Sequence, residues 1–280
     1  MKKKAYGKIN LGLKVVSKRS DGYHDLEMIM AKIALYDEMD FLLSEKVEVI
    51  CEGVQQEENL VYKVANYLKE KHNINEGAKI VIKKNIPSEA GLGGGSSDAA
   101  CAINSLCEIW NIKLDNEEKK EIALKFGSDI PFFVENRFAY ATGRGEKLVE
   151  IAFKEKINIL IVKPVEGVST REVFSKVVIN NNENKILEVV ELFEQGEKQK
   201  AIQLLENDLE VYADFILNGK IQQIKNKMRE YNAYKSIMSG SGSSVIGFFE
   251  NDEDLRRAKE FFIRTGFFVC ETSTMGDSFE

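Results

Sequence analysis

Apolar residues change their spacing several times along the chain, and each change predicts an element. From Ala5 to Val16 they alternate, with Ala5, Gly7, Ile9, Leu11, Leu13 and Val15 on one side and Tyr6, Lys8, Asn10 and Lys14 on the other. A period of two is that of a half-buried strand. Asp21-Gly22 then signals a turn, and 25–35 and 39–51 read as two further strands. In 58–72, Leu60, Val64, Tyr67 and Leu68 recur at helical spacing, and 78–84 is a strand again. Beyond a glycine-rich stretch, Ala99, Ala100, Ile103, Leu106, Cys107 and Trp110 mark a helix, and another is predicted at 115–126.

A strand at 156–164 opens what reads as a second half, followed by helices over 170–230, with the asparagine-rich 180–184 as a solvated loop. The end reads as strand 234–238, a glycine turn, strand 244–249, helix 252–264 and strand 266–271. Strand–helix–strand alternation in both halves predicts an α+β protein in two lobes, cut as 1–153 and 154–280.

Composition narrows the function classes. The 280 residues are 44% apolar and 30% charged, a globular balance, and no apolar run is long enough to span a membrane. The start, MKKKAYGKINLG, lacks the apolar core of a signal peptide, so the chain reads as cytoplasmic. Lys and Arg number 39 against 45 Asp and Glu, a net charge of −6, and the longest basic run is three lysines. Composition thus gives no sign of the concentrated basic face of a nucleic-acid binder. Cys51, Cys101, Cys107 and Cys270 have no paired spacing, and His24 and His72 are the only histidines. Structural zinc and a Ser-His-Asp triad both lack their parts, and the cysteines read as reduced core or near-core residues.

Chemistry concentrates in a few stretches. Residues 87–110 begin at Pro87 and hold four glycines within five positions, Gly91, Gly93, Gly94 and Gly95, around Leu92, ahead of Ser96, Ser97 and a helix. Such a run exposes backbone N–H groups, and a serine cap would aim the helix mouth at it. The arrangement predicts a phosphate cradle, the alternative being a flexible hinge. It has no lysine for a Walker A loop and sits too late in the chain for a dinucleotide fingerprint. A second glycine turn, MSGSGSS at 238–244, lies between two apolar strands. Asp129 stands before Ile-Pro and what reads as an apolar strand, at a loop–strand junction. Lys8 and Asn10 project from the polar face of the first strand, and 20–26 reads SDGYHDL.

Taken together, AYGKINLGLKVVSKRSDGYHDL at 5–26, PSEAGLGGGSSDAA at 87–100, FGSDIPFF at 126–133 and MSGSGSS at 238–244 resemble the GHMP kinase family, in the family's order and across nearly the whole chain. The K-I-N-L and D-G-Y-H segments resemble the branch acting on a CDP-linked methylerythritol. The resemblance implies a two-lobed α+β fold with the active site in the cleft between lobes. It implies ATP as phosphoryl donor, Mg²⁺ with it, and transfer to the tertiary 2-hydroxyl of the cytidine-linked substrate, with neither nucleic acid nor membrane as partner. By resemblance, Pro87 and Gly91, Leu92, Gly93, Gly94, Gly95, Ser96 and Ser97 hold ATP. Asp129 is the base, and Lys8 lies close to both. Asn10, Tyr23, His24, Thr170, Phe174, Gly240, Ser241 and Gly242 meet the substrate, with Tyr23 and Phe174 stacking on its cytosine. Departures are few: Tyr6-Gly7 stands where the family often has Pro-Ala, and Asp98 where Asn is frequent.

Overall fold

The structure, a computed structural model, describes residues 1–135, 137–179 and 183–276. It divides into two compact units that interleave along the chain, one of Met1–Gly7, Leu35–Ile86 and Gly93–Asn136, the other of Lys8–Ala34, Pro87–Leu92 and Arg137–Glu280. Two long strands, β1 (Lys2–Lys18) and β2 (His24–Ser44), contribute residues to both. The expected strands at 25–35 and 39–51 are therefore one strand to Ser44, followed by a short β3 (Glu48–Cys51). Tyr36, Asp37 and Glu38 interrupt the apolar pattern, but without glycine or proline nothing there stops the strand.

In the first unit, β4 (Gly77–Lys83) runs antiparallel to β2, pairing Met39 with Ile82 and Phe41 with Ile80, while β3 joins β4 in parallel. Met39, Phe41, Val49, Ile80 and Ile82 form one buried face. Four helices complete the unit: α1 (Leu60–Lys71), α2 (Gly94–Ile109), α3 (Asn116–Leu124) and α4 (Ile130–Glu135). Asn59 caps α1 by accepting from the Val61 amide (2.9 Å), and Asp115 and Glu118 form a reciprocal capping box on α3. Packing of α1 on α2 buries Val64 and Leu68 with Ile103 and Leu106. Residues 130–135 were expected to be strand and are helix. Pro131 falls in the first helical turn, where a missing N–H and fixed φ cost nothing, and the apolar run is too short for its period to decide.

In the second unit, β5 (Phe138–Gly143) pairs with residues 26–31 of β2 and turns into β6 (Lys147–Glu150). Then come β7 (Asn158–Lys163), α5 (Thr170–Ser175), α6 (Ile186–Glu194), α7 (Lys198–Gln203), α8 (Glu210–Ile216) and α9 (Lys220–Glu230). The chain ends on β8 (Lys235–Met238), β9 (Val245–Phe248), α10 (Asp252–Ile263) and β10 (Phe268–Ser273). A second sheet takes the order β10-β7-β9-β8, antiparallel throughout. Phe138, Phe153 and Phe193 meet as a triangle of rings 5.0–5.2 Å apart. Of the expected loop at 180–184, residues 180–182 lie outside the described residues. All four cysteines are free, Cys107 buried and the others half-buried.

Candidate active site

The glycine-rich segment enters α2 through Gly93, whose φ of +68° is the left-handed region that glycine adopts without strain. No side chain caps the helix. The expectation that Ser96 or Ser97 would do so is corrected: both lie within the first turn. Ser97 donates its hydroxyl to the Tyr6 carbonyl (2.6 Å) and its amide to Gly93 O (2.9 Å). A serine cap needs extended backbone at the entry residue, and the chain arrives here left-handed instead. The amides of Gly94, Gly95 and Ser96 have no partner inside the helix, and the dipole adds to their pull on an anion. Around Gly95 there is open space, whereas a Cβ on Gly94 would come within 3.0 Å of Ile86 and 3.3 Å of the Lys84 ammonium.

That ammonium is one the sequence reading passed over. Lys84 donates to Asp37 and to Asp98 Oδ2 (2.6 Å) in the first unit. Asp37 also accepts the amides of Asn85 (2.5 Å) and Ile86 (2.8 Å). In the same unit Asp129, half-buried, immediately precedes α4, which packs on α2.

The second unit gathers most of the remaining expected residues. Lys8 and Asn10 lie on the polar face of the first strand, yet they are only 4% and 1% exposed, and the Lys8 ammonium donates to Asn10 Oδ1. The Lys8 amide donates to Leu92 O (2.9 Å) and the Asn10 amide to Ser239 Oγ (3.0 Å). The Ser239 hydroxyl donates to Gly91 O (2.9 Å), and the Ser243 and Ser244 amides donate to the Glu89 and Ala90 carbonyls. The turn at 239–244 is thus stitched onto the segment from half-buried Pro87 to Leu92. Asn207 fixes the turn from behind through Met238 O (2.7 Å) and Gly240 O (2.8 Å). Gly91 admits the close approach, since a Cβ there would lie 2.0 Å from Ser239 O.

Thr170, at the start of α5, shares a hydrogen bond with Ser241 (2.8 Å), beside buried Gly240 and Gly242. On the same helix Phe174 stacks with His24, ring centroids 5.3 Å apart and planes inclined by 28°. Tyr23 and Phe174, both expected on the cytosine, lie apart in their ring contacts: Phe174 meets His24, and Tyr23 meets Arg144. Tyr23 is 56% exposed and lies under the Arg144 guanidinium, 4.7 Å from the ring centroid. The reason is the turn: Asp21 accepts the Tyr23 amide (3.1 Å), sending Tyr23 outward as the strand resumes inward at His24. Burial, helped by Lys18, pushes the His24 imidazole below its ordinary pKa, so the ring is neutral at pH 7. Backbone and ring together present flat surfaces, neutral polar groups and a cationic end. Such a set suits a heteroaromatic base with charged groups attached.

Among the described residues no three His, Cys, Asp or Glu side chains come together as a metal-holding group.

The family description "GHMP kinases N terminal domain" matches residues 59–137, and "GHMP kinases C terminal" matches 189–267. The chain is 40% identical to 4-diphosphocytidyl-2-C-methyl-D-erythritol kinase of Thermoanaerobacter pseudethanolicus, covering 100% of this chain and 98% of that one. The chain belongs to the GHMP kinase family. Its likeness to another GHMP kinase, the 4-diphosphocytidyl-2-C-methyl-D-erythritol kinase of Clostridioides difficile, is 38% over 93% of this chain and 90% of that one. A crystal structure of 4-(cytidine 5'-diphospho)-2C-methyl-D-erythritol kinase superposes with a TM-score of 0.82 at 30% identity, covering 99% of this chain and 100% of that one. Homoserine kinase from Cytophaga hutchinsonii superposes at 0.72 with 15% identity over 97% of this chain and 94% of that one, a likeness of fold alone.

Proposed function

We propose that this GHMP kinase transfers the γ-phosphoryl group of ATP to the 2-hydroxyl of 4-diphosphocytidyl-2-C-methyl-D-erythritol, a step in building isoprenoid precursors by the non-mevalonate route. The observation that carries this reading is near full-length similarity to kinases named for that substrate. It is supported by the way the D-G-Y-H segment folds, setting a neutral His24 against Phe174 next to the 239–244 turn. Homoserine and mevalonate have no cytosine for such rings to meet.

In the reaction the hydroxyl oxygen bonds to the γ-phosphorus, the bridge to the β-phosphate breaks with its electrons, and the hydroxyl proton must leave. Little covalent chemistry falls to the protein, which has to orient the hydroxyl and neutralise charge. Asp129 orients the hydroxyl and accepts its proton. Gly94, Gly95 and Ser96 offer their amides to the phosphate chain, and Lys8, aimed by Asn10, stabilises charge that grows during transfer. Mg²⁺, bound with ATP, supplies further neutralisation of the phosphate oxygens. His24, Phe174 and Tyr23 select the base, with Thr170 and the Gly240–Gly242 turn lining its side of the site.

An ADP-release assay across acceptors tests the proposal. Turnover is expected with the cytidine-linked methylerythritol and not with homoserine or mevalonate; the reverse pattern overturns it.

A further inference from the structure

Behind the first turn of α2 lies a buried cluster of two carboxylates and one ammonium. Lys84 donates to both Asp37 and Asp98, and lies 3.3 Å from where a Gly94 side chain would begin. The two acids are not equivalent. Asp37 is fully buried and accepts two backbone amides besides Lys84, so both its oxygens are satisfied. Asp98 is 4% exposed and its Oδ2 has Lys84, but its buried Oδ1 has no hydrogen-bond partner. Were both acids ionised, the cluster would hold one uncompensated buried negative charge. That charge would sit beside the amides proposed for the nucleotide's phosphates, where it would repel them.

We infer that Asp98 is a positioning residue for the nucleotide: by holding a proton it leaves Lys84 and Asp37 as a neutral pair, and the mouth of α2 receives phosphates in that form. This rests on the reading of residues 93–97 as the phosphate cradle. Burial, with Asp37 adding and Lys84 opposing, pushes the Asp98 carboxyl up to about 7. Cys51 on β3 is the other titratable group sharing this field, along with Glu52. Burial pushes its thiol up, so it stays neutral while Asp98 titrates. Linkage sets the sign. An anion arriving at the helix mouth favours the protonated acid, so affinity falls as pH rises through neutrality, by at most about ten-fold per pH unit for one proton.

The test is binding of a non-hydrolysable, methylene-bridged ATP analogue with Mg²⁺, measured by calorimetry without acceptor substrate from about pH 6 to about pH 8.5. Affinity of the wild type is expected to fall with pH while Asp98→Asn, a neutral isostere, keeps its low-pH affinity throughout. At pH of about 8, where the phosphate chain is itself ionised, buffers of different ionisation enthalpy should report proton uptake on binding to the wild type. Uptake needs no variant and stands even if Asp98→Asn folds poorly. An Asp98→Asn profile parallel to the wild type, or analogue binding without proton uptake, overturns the role of Asp98 alone. A wild type that does not bind the analogue overturns the cradle reading and this inference with it.

Discussion

Two glycine-rich segments carry site residues, and they use glycine for opposite ends. In the 239–244 turn the glycines are hemmed in. Gly240 and Gly242 have φ of +56° and +96°, and side chains on them would come 3.0 Å from Asn10 Oδ1 and 2.9 Å from the Met238 sulfur. Gly91, which receives this turn, is closed in the same way. Around Gly95, at the mouth of α2, there is nothing to collide with, and its backbone is helical. A hemmed-in glycine serves the fold, whereas one beside empty space and unspent amides leaves room for a ligand. The open mouth at Gly95 should therefore govern nucleotide affinity, and the hemmed-in glycines, Gly91 among them, stability.

The widest gap should open at Asp129, which shares its unit with the α2 mouth. Asp129→Asn is expected to lower kcat by roughly 10²-fold or more, the scale of general-base loss, with Tm unchanged and both KM values within a few-fold. Steady-state kinetics beside a melting curve check this. Near-normal turnover would reduce Asp129 to a residue that shapes the entry to α4.

A paired glycine experiment comes next. Gly91→Ala places a methyl group against Ser239 O at a φ of +70°, and the left-handed region alone costs about 1–2 kcal/mol for a residue with a Cβ. Tm should drop by several degrees. Gly95→Ala should leave Tm equal or higher, since alanine favours helix over glycine. It should nonetheless raise the ATP KM about ten-fold, the scale of losing one hydrogen bond to a charged group. Gly94 is the poorer probe, because its side chain would press on Ile86 and Lys84 rather than stand open. Equal melting losses in both alanine variants would erase the distinction.

Why sequence reading reached some of this and not the rest is a matter of range. The alternation of β1, the helical spacing in α1 and α2 and the glycine-serine run are local patterns, and they led to the right elements. Residues 130–135 failed because a short apolar run fits either period. The cap of α2 failed because serine preference is a local average, while Gly93 is left-handed for reasons of entry geometry. Lys8 and Asn10 look solvated in a period-two reading. Their burial comes from the neighbourhood of Ser239, 229 positions from Asn10. The Lys84 cluster joins residues 47 and 14 positions apart, with no periodicity to announce it.

The ring pair extends the comparison, since Phe174 shares α5 with the Thr170 that holds Ser241. Stacking on a base is worth about 1–3 kcal/mol by alanine substitution, so Phe174→Ala should raise the KM for the cytidine substrate about ten-fold and spare that for ATP. Tyr23→Ala should match it only if Tyr23, with Arg144 on it, also reaches the base. If both KM values move together, α5 has collapsed and the rings do not select.

The smallest effect expected is a flat line. The His24 ring is buried against Phe174, and its pKa lies below the ordinary 6.5 because burial, then Lys18, disfavours the charged form. The unfolded chain therefore takes up a proton first as pH falls. His24 contributes stability that is fully present above about pH 6.5, and that is lost as pH drops through its folded value. With its pKa below 6.5 the ring is mostly neutral from about pH 7 upward, so the cytidine-substrate KM should stay level from about pH 8 to about pH 7 as far as His24 is concerned. The ATP KM, with Asp98 behind the α2 mouth, should drift over the same range. Parallel pH profiles of the two KM values, with His24→Gln as the variant that cannot titrate, check the contrast. A cytidine KM that already climbs between about pH 8 and about pH 7 in the wild type and not in His24→Gln would mean that the ring is charged in the working enzyme. The base would then be read by a cation, and the division between a neutral ring side and a titrating phosphate side would fall.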